Sequence, residues 1–104
     1  MTVNGSVTVW HYDENNETYA RTVFEKCWVR HVDKSAREKD GASISAALTV
    51  RIPISGEIGI YKGDYIRIGV SDGDTPIRGQ DFTVCEIADN RNGINKHWRL
   101  SCER

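Results

Sequence analysis

The chain has 104 residues, 38% hydrophobic and 28% charged, with 14 Lys and Arg against 15 Asp and Glu and a formal net charge of −1. That length suits a single domain over 1–104, while no apolar run approaches the roughly 20 residues of a membrane-crossing helix. Residues 1–52 carry seven basic and seven acidic side chains and residues 53–104 carry seven and eight, so neither half has the cationic excess of a dedicated nucleic-acid binder.

From the amino end, Met1 to Val9 lacks the basic and apolar regions of a secretory signal. Val7, Val9 and His11 alternate with Thr8, Trp10 and Tyr12, the period of a strand, with large groups on both faces. Asp13-Glu14-Asn15-Asn16-Glu17 has turn composition, and Arg21 to Val32 returns to strand formers, which predicts an opening hairpin. The polar run Asp33 to Gly41 predicts a mobile connection. Ile44, Ala46, Leu48, Val50, Ile52 and Ile54 then occupy every second position, predicting a strand over Ser43 to Ile54 with one dry face, ended or bulged by Pro53.

Gly56, Gly59 and Gly63 punctuate the stretch before a strand over Asp64 to Val70, and positive φ or bulges are expected at these glycines. Ser71-Asp72-Gly73-Asp74 reads as a turn, with Asp-Gly suited to positive φ, and Thr75 to Gly79 as its continuation. Phe82 to Ala88 and Lys96 to Cys102 flank Asp89 to Gly93 as a closing hairpin with Trp98 and Leu100 on one face. The sum is an all-β domain of about six strands with polar loops and little or no helix, a small barrel or sandwich, since an open sheet would expose two edges.

Chemistry is sparse by comparison. GxSxG, HExxH, P-loop and GxGxxG motifs are missing, so no catalytic or cofactor-binding residues are assigned and the chain is read as a non-enzyme. Cys27, Cys85 and Cys102 form an odd set without CxxC spacing, which predicts small buried or half-buried thiols in a reducing compartment. Folding could bring His11, His31 or His97 beside them, but no two His or Cys residues show a local metal-ligand spacing, so no metal site is assigned. The acidic Asp13-Glu14-Glu17 loop and the basic Lys26, Arg30, Lys34, Arg37 and Lys39 are either solvated loop charges or complementary faces of a self-association surface. Trp10, Tyr12, Trp28, Arg30, Lys34 and Arg37 are the candidate interface residues. In an OB-like barrel the aromatic rings could instead stack bases beside Arg67, Arg78, Arg91 and Arg99.

Read in order, Val7-Thr8-Val9-Trp10, Lys26-Cys27-Trp28, Arg51-Ile52-Pro53, Gly63-Asp64-Tyr65-Ile66 with Gly69, Asp89-Asn90-Arg91-Asn92-Gly93 and His97-Trp98-Arg99-Leu100 resemble the small minor structural proteins of tailed-phage and prophage morphogenesis clusters in Gram-positive bacteria. These are head-tail connector or head-completion (stopper-like) proteins. The resemblance implies a non-catalytic β-barrel subunit, a homo-oligomeric ring in the virion that is assembled in the host cytoplasm. Its implied partners are portal, adaptor or tail components, with no cofactor, no membrane and no direct nucleic-acid binding. Gly63, Asp64, Asp89, Asn90, Arg91, Gly93, His97 and Trp98 match the recurrent pattern and are read as turn geometry and core packing. The connection from Ile54 to Lys62 is brief where longer members carry an extended loop, which argues against plugging a DNA channel. Two unclosed strand edges and a marginal core would be offset by burial against neighbours. The alternative is an OB-like or SH3-like module binding nucleic acid or peptide.

Overall fold

The computed structural model describes residues 3–33 and 46–104. Six strands account for most of them: β1 (Gly5–Asp13), β2 (Thr18–Asp33), β3 (Ala46–Ile52), β4 (Tyr65–Ile68), β5 (Phe82–Asn90) and β6 (His97–Glu103). No helix occurs among the described residues. The connection expected over Asp33 to Gly41 and the start of the strand expected from Ser43 fall largely outside the described residues.

The strands close into a barrel in the order β1-β2-β3-β6-β5-β4, each neighbouring pair antiparallel. Of the two architectures compatible with the sequence pattern, the barrel is the one formed. The expectation of two unclosed edges is overturned, because β1 pairs with β2 on one side and with β4 on the other. Closure removes the free N–H and C=O rows that an open sheet would present.

Two irregularities bend the sheet enough to close it. The 16-residue β2 pairs with β1 through its first half and with β3 through its second, and a register shift between Gly5 and Val7 lies where it changes partner. A second shift between Val84 and Glu86 sets Cys85 out of the β5–β6 ladder. Such bulges kink one strand and increase local twist.

Inward-facing residues follow the alternation of the sequence: Val7 and Val9, Leu48, Val50 and Ile52, Ile66, Phe82 and Val84, Leu100 and Cys102 meet in one core with Cys27 and Ile60. β3 keeps its dry face but stops at Ile52, where Pro53 has no N–H to extend the ladder.

β1 carries large groups on both faces because both are buried. Thr8 and Trp10 point away from the core, yet each is 0% exposed. The segment 69–81, which the sequence reads as a plain turn and connection, straps across them. Thr8 Oγ1 donates to the Gly69 carbonyl at 2.8 Å and accepts the Ser71 N–H at 2.9 Å. Trp10 Nε1 donates to the Gly73 carbonyl at 3.0 Å, and the Arg67 guanidinium lies 4.8 Å from the centre of the Trp10 ring. Arg67 in turn donates to both Asp81 oxygens at 2.7 and 2.8 Å, and Asp81 also accepts the Ile77 N–H at 2.7 Å. A carboxylate buried as deeply as Asp81 is tolerable only with such partners; burial pushes its pKa up, but the Arg67 and Ile77 hydrogen bonds outweigh that and hold it below the ordinary value.

Candidate functional site

The family-pattern residues fall into two clusters that hold loops onto the barrel. In the first, Gly63 takes φ 92°, a backbone that favours glycine, and donates its N–H to the Val84 carbonyl at 2.8 Å. This delivers Asp64 to the barrel wall, where it is 4% exposed. One carboxylate oxygen accepts the Tyr61 N–H at 2.9 Å and the other lies 2.6 Å from His11 Nδ1 on β1. The imidazole is thereby oriented with Nε2 left as its second polar atom.

In the second cluster, Arg91 forms a two-pronged pair with Asp89 at 2.8 and 2.7 Å, lies 4.3 Å from the centre of the Trp98 ring and donates to the Ser55 carbonyl at 3.2 Å. Trp98 Nε1 donates to the Gly56 carbonyl at 2.8 Å. The closing hairpin is thus tied to the chain that follows β3. The Arg91 hydrogen bond is the main reason that the Asp89 carboxyl is held down at about 2. His97 Nδ1 bonds to the Asn95 carbonyl at 2.7 Å and its Nε2 lies 3.2 Å from Asn90 Nδ2. Of the eight pattern residues, Gly63, Asp64, Arg91 and Gly93 lie between strands, whereas Asp89 and Asn90 end β5, His97 and Trp98 open β6, and none belongs to the core cluster. Gly56 and Gly73, where positive φ was expected, do not adopt it, so those turns do not depend on glycine there.

The candidate interface residues scatter. Trp10 is buried beneath the strap and offers no surface, a correction that follows from the second layer over β1. Tyr12 is 45% exposed, Arg30 is exposed and Trp28 is half-buried. Lys34 and Arg37 lie outside the described residues. Of the arginines considered for base stacking, Arg67 and Arg91 are committed to Asp81 and Asp89.

What the sequence did not reveal is a grouping of aromatics. The chain has four tyrosines, and all of them surround the His11–Asp64 pair at one side of the barrel. Tyr12 meets Tyr19 edge-on at 5.2 Å between ring centres, Tyr19 meets Tyr65 at 6.4 Å, and Tyr61 lies 4.9 Å from the His11 ring. Tyr12, Tyr19 and Tyr65 border a shallow hollow of about 190 Å³ that also includes His11, Asp64, Glu14 and Lys62. Cross-strand register explains three members: Tyr12 faces Tyr19 across β1–β2, and Trp10 faces Tyr65 across β1–β4. Tyr61 arrives through the turn that ends at Asp64.

On the β2–β3–β6 side a second patch forms. Trp28, Arg51 and Arg99 are consecutive in register, and Arg51 lies 4.4 Å from the centre of the Trp28 ring. Two like charges directly opposite each other disfavour the sheet. The buried Nε atoms of both arginines lack a hydrogen-bond partner among the described residues. Glu86 gives Arg99 a loose contact at 3.6 Å.

Cys27 and Cys102 are buried, and burial pushes their thiols up to about 11 and about 12, whereas Cys85 at the β5 bulge is exposed. Among the described residues no group of three His, Cys, Asp or Glu side chains is arranged to hold a metal ion.

Neither a curated protein nor a solved structure matches this chain. A family model matches residues 1–103, nearly the whole barrel with both patches, and the chain belongs to that family of unknown function, DUF6751.

Proposed function

We propose that the chain is a non-catalytic assembly subunit of a tailed-phage particle, one member of a ring at the head-tail junction that works by fitting its surface against neighbouring proteins. The observation that carries this reading is the partly exposed group of Tyr12, Tyr19 and Tyr65, with Tyr61 against the neighbouring His11 ring, on a barrel whose strand edges are already paired. Aromatic side chains of this kind anchor protein interfaces at low entropic cost, and edge closure leaves side-chain surfaces to do the docking. The resemblance noted in the sequence supplies the particle, and hence the virion and the host cytoplasm during assembly as locations, with portal, adaptor or tail components as neighbours. Mass spectrometry of purified, DNA-filled particles from the source phage or prophage tests it. The chain is expected in multiple copies per particle, and its absence from particles would overturn the reading.

A second reading is favoured by the arginine row beside Trp28, since OB-like barrels use the outer side of their second and third strands to bind oligonucleotides. Its signature is a fluorescence anisotropy signal with a labelled single-stranded oligonucleotide that falls steeply with salt. A flat signal at low salt removes it.

A further inference from the structure

The two patches lie on opposite staves. In the closed order β1-β2-β3-β6-β5-β4, β1 stands three places from β6 and β4 three places from β3. The tyrosine patch is carried by β1, β4 and the first part of β2, and the Arg51–Arg99 pair by β3 and β6.

Their chemistry is complementary as well. The tyrosine patch adjoins the β1–β2 turn with Asp13, Glu14 and Glu17, and the exposed Asp72 and Asp74 flank the point where Gly73 receives Trp10 and Arg21. Lys62 is the opposing charge in the hollow. Across the barrel, exposed Lys26 and Arg30 on β2 join Arg51 and Arg99, with Glu86 as the nearby acid. Arginine paired with carboxylate or laid on a tyrosine ring is favourable, and Arg and Tyr are both enriched among interface anchors. The like-charge Arg51–Arg99 pair gains most from an acidic, aromatic surface.

We propose that the Arg51–Arg99–Trp28 face of one subunit docks on the tyrosine and carboxylate face of a second copy of this chain, head to tail. This rests on the reading of the chain as an assembly subunit and names the two surfaces involved. Complementary patches on opposite sides of one molecule cannot satisfy each other in a two-fold dimer. They make a heterologous contact that repeats, closing as a ring where the rotation allows.

Charge reversal tests the pairing, read by sedimentation velocity across protein concentration and salt. The wild-type chain is expected to gain mass with concentration, more so at low salt. R51E/R99E and E14K/E17K should each weaken self-association by about tenfold or more. An equimolar mixture of the two variants should restore it, because every contact in an alternating array then joins opposite charges. Circular dichroism checks that each variant folds, and R30E/R99E replaces the first should Arg51→Glu fail to fold.

Three results overturn the proposal: both variants associating like wild type, only one of them losing association, or no rescue on mixing. Salt-steep binding of a single-stranded oligonucleotide that R51E/R99E abolishes also overturns it, since that face would then belong to nucleic acid. A wild-type chain that is monomeric throughout but present in purified particles ends the head-to-tail contact and spares the assembly reading, whereas absence from particles ends that reading itself.

Discussion

Removing the Trp10 ring tests whether the strap over β1 is a packed layer or a loop lying on the surface. Trp10 is 0% exposed, sandwiched between β1 and segment 69–81, hydrogen-bonded to the Gly73 carbonyl at 3.0 Å and covered by Arg67. A buried indole removes about 200 Å² from water, worth about 5 kcal/mol at about 25 cal/mol per Å² as an upper bound. Trp10→Ala keeps the Cβ and allows partial collapse, which sets the expected loss at about 4 kcal/mol. Against a total stability of about 5–15 kcal/mol for a domain, the variant remains measurable. Trp10→Phe, which retains a ring but leaves the Gly73 carbonyl unpaired, should cost about 2 kcal/mol. Urea unfolding followed by circular dichroism gives both values. Trypsin gives an independent readout, because exposed Arg78 sits in the strap and should become newly cleavable once the ring is gone. A loss below about 1 kcal/mol for Trp10→Ala, with Arg78 still protected, would show that the second layer contributes little and would refute the reasoning.

Other groups make separate predictions. Asp81→Asn should destabilise the protein by about 2 kcal/mol near neutral pH, since Arg67 loses its buried partner. Because the Asp81 carboxyl is held below its ordinary value, its contribution is complete above about pH 4 and is lost as pH falls through the lowered folded value. The wild type should therefore lose stability more steeply on acidification than the variant, and equal acid slopes would contradict the pairing. In Arg91→Ala, NMR titration should find the Asp89 carboxyl raised from about 2 towards the ordinary range; an unmoved value would mean that Arg91 is not the cause. Gly63→Ala meets no atom within 4 Å but must hold φ 92°, so thermal unfolding should show a cost of about 1–2 kcal/mol from the backbone alone. Thiol labelling of the native protein should modify Cys85 quickly and Cys27 and Cys102 only on unfolding, and three equally fast thiols would contradict the core.

Local pattern alone determined the strands and the face each one buries. The alternation of Leu48, Val50 and Ile52, the break at Pro53, and the hairpin running from Asp89 to Trp98 all survive in the structure, because strand periodicity and turn chemistry act within a few residues. Large groups on both faces of β1 were equally legible, but not their fate. Whether Trp10 reaches solvent depends on a strap about 60 residues downstream, and nothing in the turn formers of 71–79 announces that Asp81 will be paired with Arg67 beneath it. Closure was likewise a tertiary decision: two bulges bring β4 beside β1, and only then do four tyrosines from separate segments converge on His11 and Asp64 while Arg51 and Arg99 share the far wall. Periodicity assigns a side chain to a face, whereas the company it keeps there is set by register and closure between strands distant in the chain.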